Sequence, residues 1–156
     1  MKIKCESLED TKNLALSFAR AIDKNGLFVT LTGDIGAGKT QFIRYVLEYF
    51  NVKDKVTSPS FVILNQYKSD NFPIYHFDLY RLEEKGIKSV VDELREYSKT
   101  GVLTFVEWAE FAHNEIPENS FKINVYYDEN DTNIRYFDFS NNAESDFLNR
   151  FSKELK

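Results

Sequence analysis

The amino-acid sequence predicts an α/β fold, because segments with the patterns of strands and of helices alternate along the chain. A short apolar run of β-type residues at 27–31 leads into a glycine-rich loop, and apolar residues at helical spacing follow that loop over 39–50. A second run, 102–106, is uniformly apolar, which is typical of a central strand covered on both faces. Two pairs of β-rich segments, each separated by turn residues, predict antiparallel hairpins beside these strands.

The other elements follow from spacing and turn chemistry. Residues 7–10 have the form of a capping box and begin a helix that ends before Asn25 and Gly26. The first hairpin comprises 61–67 and 73–78, and the second comprises 122–127 and 134–139 with an Asp/Asn-rich turn. A helix over 89–97 ends at Gly101. A carboxy-terminal helix carries apolar residues along one side: Phe147, Leu148, Phe151 and Leu155.

Length and composition indicate a packed globular protein. The chain has 156 residues, of which 42% are hydrophobic and 15% aromatic, so we expect a single domain over residues 1–156 with a core built from large rings. The one cysteine, Cys5, excludes an internal disulfide and is expected to pack as a small hydrophobe in a strand.

Charge and hydropathy argue against two classes of partner. The net charge of −5 does not favour a non-specific grip on nucleic-acid phosphates, which needs clustered Lys and Arg. The amino terminus lacks the apolar segment of a signal peptide, and no stretch reaches the ~18 apolar residues needed to cross a bilayer. We therefore expect a cytoplasmic protein that has no membrane contact.

Residues 33–40 fit the phosphate-loop pattern G-x-x-x-x-G-K-[ST] without a mismatch. Glycines at both ends allow positive φ and direct successive backbone N–H groups toward one point at the start of a helix, which forms an anion site. Lys39 would reach the β- and γ-phosphates of a nucleotide, and the Thr40 hydroxyl would take one coordination place on Mg²⁺. The loop therefore predicts a nucleoside triphosphate with magnesium.

Two acidic residues at strand ends are candidates for the magnesium site. Glu107 follows the apolar run 102–106, and Asp78 ends the strand that begins near Ile74. Phosphate-loop proteins usually hold Mg²⁺ through a carboxylate at the end of a strand beside the loop. From the residues alone, one acid would orient the metal with Thr40, and the other would position a water or a residue behind it.

Four other features each have two interpretations. Hydroxyls in the loop 56–60 could bind metal or phosphate, or could belong to an ordinary Ser-Pro turn: Thr57, Ser58 and Ser60. His76 shares a strand face with Asp78 and could reach the same site, or could be a satisfied core histidine. Arg81 could contact a phosphate or a partner, although a surface ion pair with Glu83 or Glu84 is the milder explanation. For Trp108 we favour the core over a nucleotide contact.

Four motifs in order carry a resemblance to a known family: 33–40, 56–61 (VTSPSF), 76–81 (HFDLYR) and 106–108 (VEW). Over residues 8–139 the chain resembles the bacterial TsaE (YjeE-type) ATPases, which act in synthesis of the threonylcarbamoyladenosine modification of tRNA alongside TsaD and TsaB. The resemblance implies a compact P-loop NTPase-like fold with a mostly parallel central sheet, antiparallel hairpins and flanking helices. It also implies ATP hydrolysis that supports the TsaD–TsaB complex without transferring the threonylcarbamoyl group.

The resemblance further implies roles for individual residues. Thr40 and Glu107 would be the metal-site residues, and Asp78 an essential acid. Our candidates for the catalytic residues are Lys39, Asp78 and Glu107. The nucleotide would contact these residues: Thr11 near the adenine, and Asp34, Ile35, Gly36, Ala37, Gly38, Lys39, Thr40 and Gln41 along the loop. The sequence departs from the family pattern at two places. Ser60 stands where Thr is common, and residues 85–100 lack the usual Leu- and Gly-rich motif. The second departure concerns partner contacts.

Three competing functions follow from the same loop. A small-molecule kinase would need an acceptor pocket and usually an Arg-bearing lid, but the arginines are scattered. A GTPase would carry an Asn-Lys-x-Asp motif, which the sequence lacks. In an ATP-dependent assembly clamp, nucleotide binding would drive the assembly and hydrolysis would be slow. Our hypothesis combines weak ATPase activity with control of TsaD–TsaB association by nucleotide state, and tRNA is reached only through that complex.

Overall fold

The computed structural model of the chain describes residues 1–52, 64–80, 94, 96–117, 120–141 and 146–156. In chain order the elements are β1 (Lys2–Cys5), α1 (Leu8–Ala21), β2 (Gly26–Gly33), α2 (Lys39–Tyr49), β3 (Leu64–Tyr67), β4 (Ile74–Asp78), β5 (Val102–Glu107), a 3-10 helical segment (Ala109–Glu115), β6 (Phe121–Tyr127), β7 (Arg135–Asn141) and α3 (Phe147–Glu154). The described strands form one sheet in the order β1-β7-β6-β2-β5-β4-β3.

The centre of the sheet is parallel and its edges are antiparallel. Strand β2 pairs in parallel with β5 and β6, and β4 pairs in parallel with β5. The hairpins β3–β4 and β6–β7 are antiparallel, and β1 pairs antiparallel with β7. The expected α/β fold, with a mostly parallel central sheet, antiparallel hairpins and flanking helices, is therefore confirmed.

Local sequence explains where the first helix begins. Ser7 caps α1, and its Oγ accepts a hydrogen bond from the backbone N–H of Asp10 at 3.1 Å. The Asp10 carboxylate in turn accepts from the backbone N–H of Glu6 at 2.9 Å, so the return bond of the capping box reaches one residue further than the motif predicts. Both acids in the first turn, Glu9 and Asp10, also oppose the positive end of the helix dipole.

The main core lies between one face of the sheet and helices α1, α2 and α3, and it is built from aromatic rings as the composition predicts. Phe18 of α1 is fully buried, and its ring centroid lies 5.3 Å from that of Phe42 in α2. The carboxy-terminal helix docks on the same ring, since Phe147 and Phe151 lie 5.0 and 5.4 Å from it. Cys5 is buried at the end of β1 in the same core, as expected.

A smaller core covers the other face of the sheet near β4 and β5. Phe28, Phe77 and Val106 pack there against residues of the 3-10 segment.

Several sequence interpretations lie outside the described residues: the loop 56–60, the start of the strand 61–67, Arg81, and the helix over 89–97 except for Leu94, Glu96 and Tyr97. Among the described helices, none is long and apolar enough to span a bilayer.

Candidate functional site

The phosphate loop connects the carboxyl end of β2 to the amino end of α2. Its glycines adopt positive φ, with values of 126° at Gly33, 71° at Gly36 and 109° at Gly38. A Cβ atom on Gly33 would lie 1.8 Å from the carbonyl oxygen of Val125, so glycine is required where β2 meets β6. Gly38 caps α2, which places the positive end of that helix at the loop.

Lys39 is buried and turned back onto the loop that precedes it. Its Nζ donates to the carbonyl oxygens of Gly33 at 2.7 Å and Asp34 at 3.0 Å, and lies 3.7 Å from the centre of the Trp108 ring. Burial lowers the pKa of Lys39, although nearby carboxylates, Glu110 foremost, partly oppose that shift. The ammonium is therefore held among two carbonyl dipoles and one aromatic face.

Glu107 joins the loop to the neighbouring strands. Its Oε1 accepts from the Thr40 hydroxyl at 2.6 Å, and its Oε2 accepts from Nε2 of His76 at 2.5 Å. Glu107 and His76 are 2% and 0% exposed. Burial by itself raises the pKa of Glu107, but the hydrogen bond and charge of His76, with smaller effects of Thr40 and Lys39, outweigh burial and lower that pKa. The carboxylate is therefore ionised at neutral pH and fixed at both oxygens.

Asp78 lies directly beside Glu107. The two residues are register partners at the carboxyl ends of the parallel strands β4 and β5, so both lie at the end of the sheet where the phosphate loop begins. Asp78 is half-buried, and its Oδ1 accepts from the backbone N–H of Tyr80 at 3.0 Å. The structure thus brings both strand-end acids to the phosphate loop, while their separate roles stay predictions.

A cleft of about 530 Å³ opens over the loop. Its walls include most of the residues predicted to contact a nucleotide, together with both strand-end acids: Ile35, Gly36, Gly38, Lys39, Thr40, Gln41, Asp78 and Glu107. Asp34 lies instead beside the β6–β7 turn, and the Ala37 side chain is buried in the main core. Leu8, Arg44, Tyr80, Trp108 and Arg135 complete the lining.

Thr11 lines a second cleft, of about 590 Å³, which shares Leu8 and Arg135 with the first. The Thr11 side chain is buried, and its hydroxyl donates to the carbonyl oxygen of Ser7 at 3.3 Å. The segment therefore borders this second cleft, with the threonine hydroxyl engaged in its own helix, and its place near the adenine stays a prediction.

His76 and Trp108 both lie between the core and the site. His76 is a buried core residue that also touches the site through Glu107. Trp108 is half-buried: it packs against the smaller core, and the Lys39 ammonium lies over its ring. The backbone of Trp108 has φ 59°, which is uncommon for a bulky side chain. Tyr80 and Phe111, at centroid distances of 4.8 and 5.8 Å, extend this ring surface toward solvent.

Three residues at the loop were not found by sequence reasoning. Glu110 accepts from the backbone N–H of Gly33 at 3.3 Å, and the Tyr127 hydroxyl donates to the Gly36 carbonyl. The guanidinium of Arg135 lies against Gly38. Glu110 follows Glu107 by only three positions, so the sequence could have indicated that it lies near the site. Tyr127 and Arg135 come from a hairpin about ninety residues away, and no local pattern indicates them.

The oxygen atoms at the site suit magnesium. Thr40 and Glu107 supply a hydroxyl and an ionised carboxylate, which are ligand types that this hard cation prefers. In the part of the chain that the structure describes, no group of three or more His, Cys, Asp or Glu could hold a metal. Mg²⁺ is usually held by one or two carboxylates together with substrate phosphates, so this donor set fits a metal bound jointly with a nucleotide.

Fold and loop together define an α/β protein of the P-loop NTPase-like class. A family model described as "Threonylcarbamoyl adenosine biosynthesis protein TsaE" matches residues 5–135. The chain belongs to the TsaE family, the family that the four sequence motifs resemble.

Individual relatives agree with this assignment. The chain is 38% identical over 120 residues to the tRNA threonylcarbamoyladenosine biosynthesis protein TsaE of Rickettsia bellii, covering 76% of this chain and 81% of the relative. The Bacillus subtilis protein of the same name is 35% identical over 115 residues, covering 74% and 70%. The crystal structure of Bacillus subtilis YdiB superposes with a TM-score of 0.78 at 27% identity, covering 100% of this chain and 96% of that one.

Proposed function

We propose that the protein binds and hydrolyses ATP with Mg²⁺ and thereby supports a TsaD–TsaB complex in the threonylcarbamoyladenosine modification of tRNA. The observation that carries the proposal is the contact between the Thr40 hydroxyl and the ionised Glu107 carboxylate, 2.6 Å apart, beside Lys39 and Asp78 in one cleft. Loop, hydroxyl, cation and acids are the parts that phosphoryl transfer requires, since its catalysis consists mainly of positioning and charge stabilisation.

The residues of the chain divide this work. The backbone of the loop and the amino end of α2 cradle phosphate oxygens. Lys39 exchanges the carbonyl oxygens of Gly33 and Asp34 for phosphate oxygens, because an anion is a stronger partner than a carbonyl dipole. Thr40 and Glu107 would hold Mg²⁺, which would supply charge neutralisation for the transferred phosphoryl group.

The two acids behind the loop differ in environment, and we assign them different tasks. Glu107 is buried and fixed by His76, so it keeps one orientation toward Thr40. Asp78 is half-buried at the cleft wall, so it can position the attacking water. The base of ATP occupies the second cleft, which Thr11 borders.

TsaD and TsaB are proposed as partners from the family to which the chain belongs. The net charge of −5 argues against a direct grip on tRNA, so the complex supplies the nucleic-acid contact. We place this reaction in the cytoplasm. In this arrangement ATP hydrolysis by the chain is weak alone, and the nucleotide state sets its association with the complex.

Release of ADP and phosphate from ATP, measured with and without purified TsaD and TsaB, tests the proposal. We expect slow release by the chain alone, stimulation by the partners, and loss of both in Lys39→Ala. Reconstituted tRNA modification should then require ATP and the unaltered chain. Transfer of phosphate to an added metabolite would instead identify a small-molecule kinase and overturn the proposal.

A further inference from the structure

Glu110 holds the first residue of the phosphate loop by its backbone. The Oε2 atom of Glu110 accepts a hydrogen bond from the backbone N–H of Gly33 at 3.3 Å. The carbonyl oxygen of the same glycine accepts from Nζ of Lys39 at 2.7 Å. Both backbone polar groups of Gly33 are therefore engaged by charged side chains, one from the 3-10 segment and the other from α2.

The N–H of Gly33 points toward β5 rather than β6. The next N–H along the chain, that of Asp34, donates to the Val125 carbonyl of β6 at 3.2 Å. Because successive N–H groups of an extended strand point to opposite sides, the Gly33 N–H lies on the β5 side. Since Leu31 is the register partner of Glu107, a strand acceptor for Gly33 would have to come from the residues that follow Glu107.

Strand β5 does not supply that acceptor. It ends at Glu107, and Trp108 turns the chain away with φ 59°. The Trp108 carbonyl instead accepts from the backbone N–H of Phe111 at 3.1 Å, within the 3-10 segment. A backbone N–H that is shielded from water is costly without an acceptor, so the Glu110 carboxylate takes the place of the missing strand.

Glu110 acts on the nucleotide site without lining the phosphate-loop cleft. It lines a different cleft, of about 540 Å³, on the sheet face opposite α2. Its Oε1 atom is buried and has no hydrogen-bond partner among the described residues, so the bond to Gly33 is the contact that fixes this carboxylate. Any effect of Glu110 on a bound phosphate therefore passes through Gly33 and the Lys39 that Gly33 holds.

We propose that Glu110 is a positioning residue whose carboxylate fixes the first peptide of the phosphate loop in the conformation that binds nucleotide. This inference rests on the proposed ATP binding and adds a residue behind that site. A loop that is fixed before the ligand arrives loses less conformational entropy on binding, so the contact strengthens nucleotide binding. Because the loop cradles phosphates that ATP and ADP share, Glu110 strengthens the binding of both.

Two variants of this residue separate its hydrogen bond from its charge. Glu110→Ala and Glu110→Gln both remove the negative charge, but only glutamine keeps an oxygen that can accept from the Gly33 N–H. Calorimetric titration of the full chain with Mg²⁺ and either ADP or a non-hydrolysable ATP analogue measures the affinities. We expect Glu110→Ala to bind both ligands roughly 3- to 10-fold more weakly than Glu110→Gln, which is the range for one ordinary hydrogen bond.

Hydrogen exchange followed by NMR in the nucleotide-free chain gives a second measurement, at the loop itself. The Gly33 amide should exchange faster in Glu110→Ala than in Glu110→Gln, because its acceptor is missing. Glu48→Ala is the matched control, since it removes an exposed acid from the far end of α2, and it should behave as the unaltered chain does in both measurements.

Thermal unfolding without nucleotide verifies that each variant is folded at the temperature of the titration. If Glu110→Ala does not fold, Glu110→Asp replaces it in both comparisons, because its carboxylate ends one methylene short of Gly33. Equal affinities of the folded variants overturn the inference, and so does equal exchange of the Gly33 amide. If the unaltered chain binds neither ligand, the proposed function fails and the inference fails with it, whereas equal affinities of the two variants overturn the inference alone.

Discussion

Replacing His76 by leucine tests the buried contact that fixes Glu107. His76 is fully buried, and its Nε2 lies 2.5 Å from the Glu107 Oε2. Leucine fills much of the imidazole volume but offers no donor. The substitution therefore leaves an ionised carboxylate in the protein interior with the Thr40 hydroxyl at its other oxygen.

The expected cost follows from what remains around the carboxylate. Removing one partner of a buried ion pair costs about 3–5 kcal/mol. Thr40 still donates to Glu107, and the nearby charge of Lys39 also lowers its pKa, so we expect the lower end, about 3 kcal/mol. For a domain of this size that loss corresponds to a melting temperature roughly 6–12 °C lower.

Urea unfolding followed by far-UV circular dichroism gives the free energy of unfolding of each variant. His76→Gln is the conservative control, because its amide keeps a donor, and it should lose less stability than His76→Leu. When His76→Leu is combined with Glu107→Gln, the loss of stability should be smaller than the sum of the two single losses, because a neutral amide at position 107 does not require the imidazole as a partner. A loss below about 1 kcal/mol in His76→Leu, or strictly additive losses in the pair, would refute the reasoning.

Three other predictions concern the metal, the loop and the hairpin. Glu107→Ala should weaken the Mg²⁺ dependence of ATP hydrolysis, measured as phosphate release over a magnesium titration. Gly33→Ala should destabilise the fold by about 3 kcal/mol or more in urea unfolding, because the added Cβ would lie 1.8 Å from the Val125 carbonyl oxygen. The pKa of Asp128 is lowered by the backbone N–H of Asn130, and then by the Tyr136 hydroxyl, so its stabilising contribution should be present above pH about 3.9 and be lost as pH falls through the lower folded-state value. Carboxyl NMR shifts followed over pH measure this titration.

Each of these predictions has a matched control. Glu48→Ala removes an exposed acid from α2 and should leave the magnesium dependence unchanged, whereas normal hydrolysis by folded Glu107→Ala would contradict the metal assignment. Gly101→Ala also places alanine at positive φ, 91°, but has nothing within 4 Å of the added Cβ, so it should cost only about 1–2 kcal/mol. Equal losses at both glycines would exclude the steric account. Tyr136→Phe should raise the Asp128 pKa, and an unchanged titration would contradict the role of that hydroxyl.

Much of the fold follows from the sequence, because its signals are local. The phosphate loop, both hairpins and the buried central strand depend on spacing and turn residues within about 18 positions, and the described residues have each of them where the sequence predicts. The two strand-end acids could also be identified, because carboxyl ends of parallel strands meet at one edge of a sheet. Asp78 and Glu107 are register partners there.

What the sequence could not determine depends on contacts between distant segments. The bond from His76 to Glu107 requires β4 to lie beside β5, and the position of Arg135 at Gly38 requires the β6–β7 hairpin to flank β2. The sequence by itself therefore determined the phosphate loop and its acids. Only the order and register of the strands decided that a buried histidine fixes one acid and that an arginine from a remote hairpin reaches the loop, because neither neighbour is encoded near the residue it contacts.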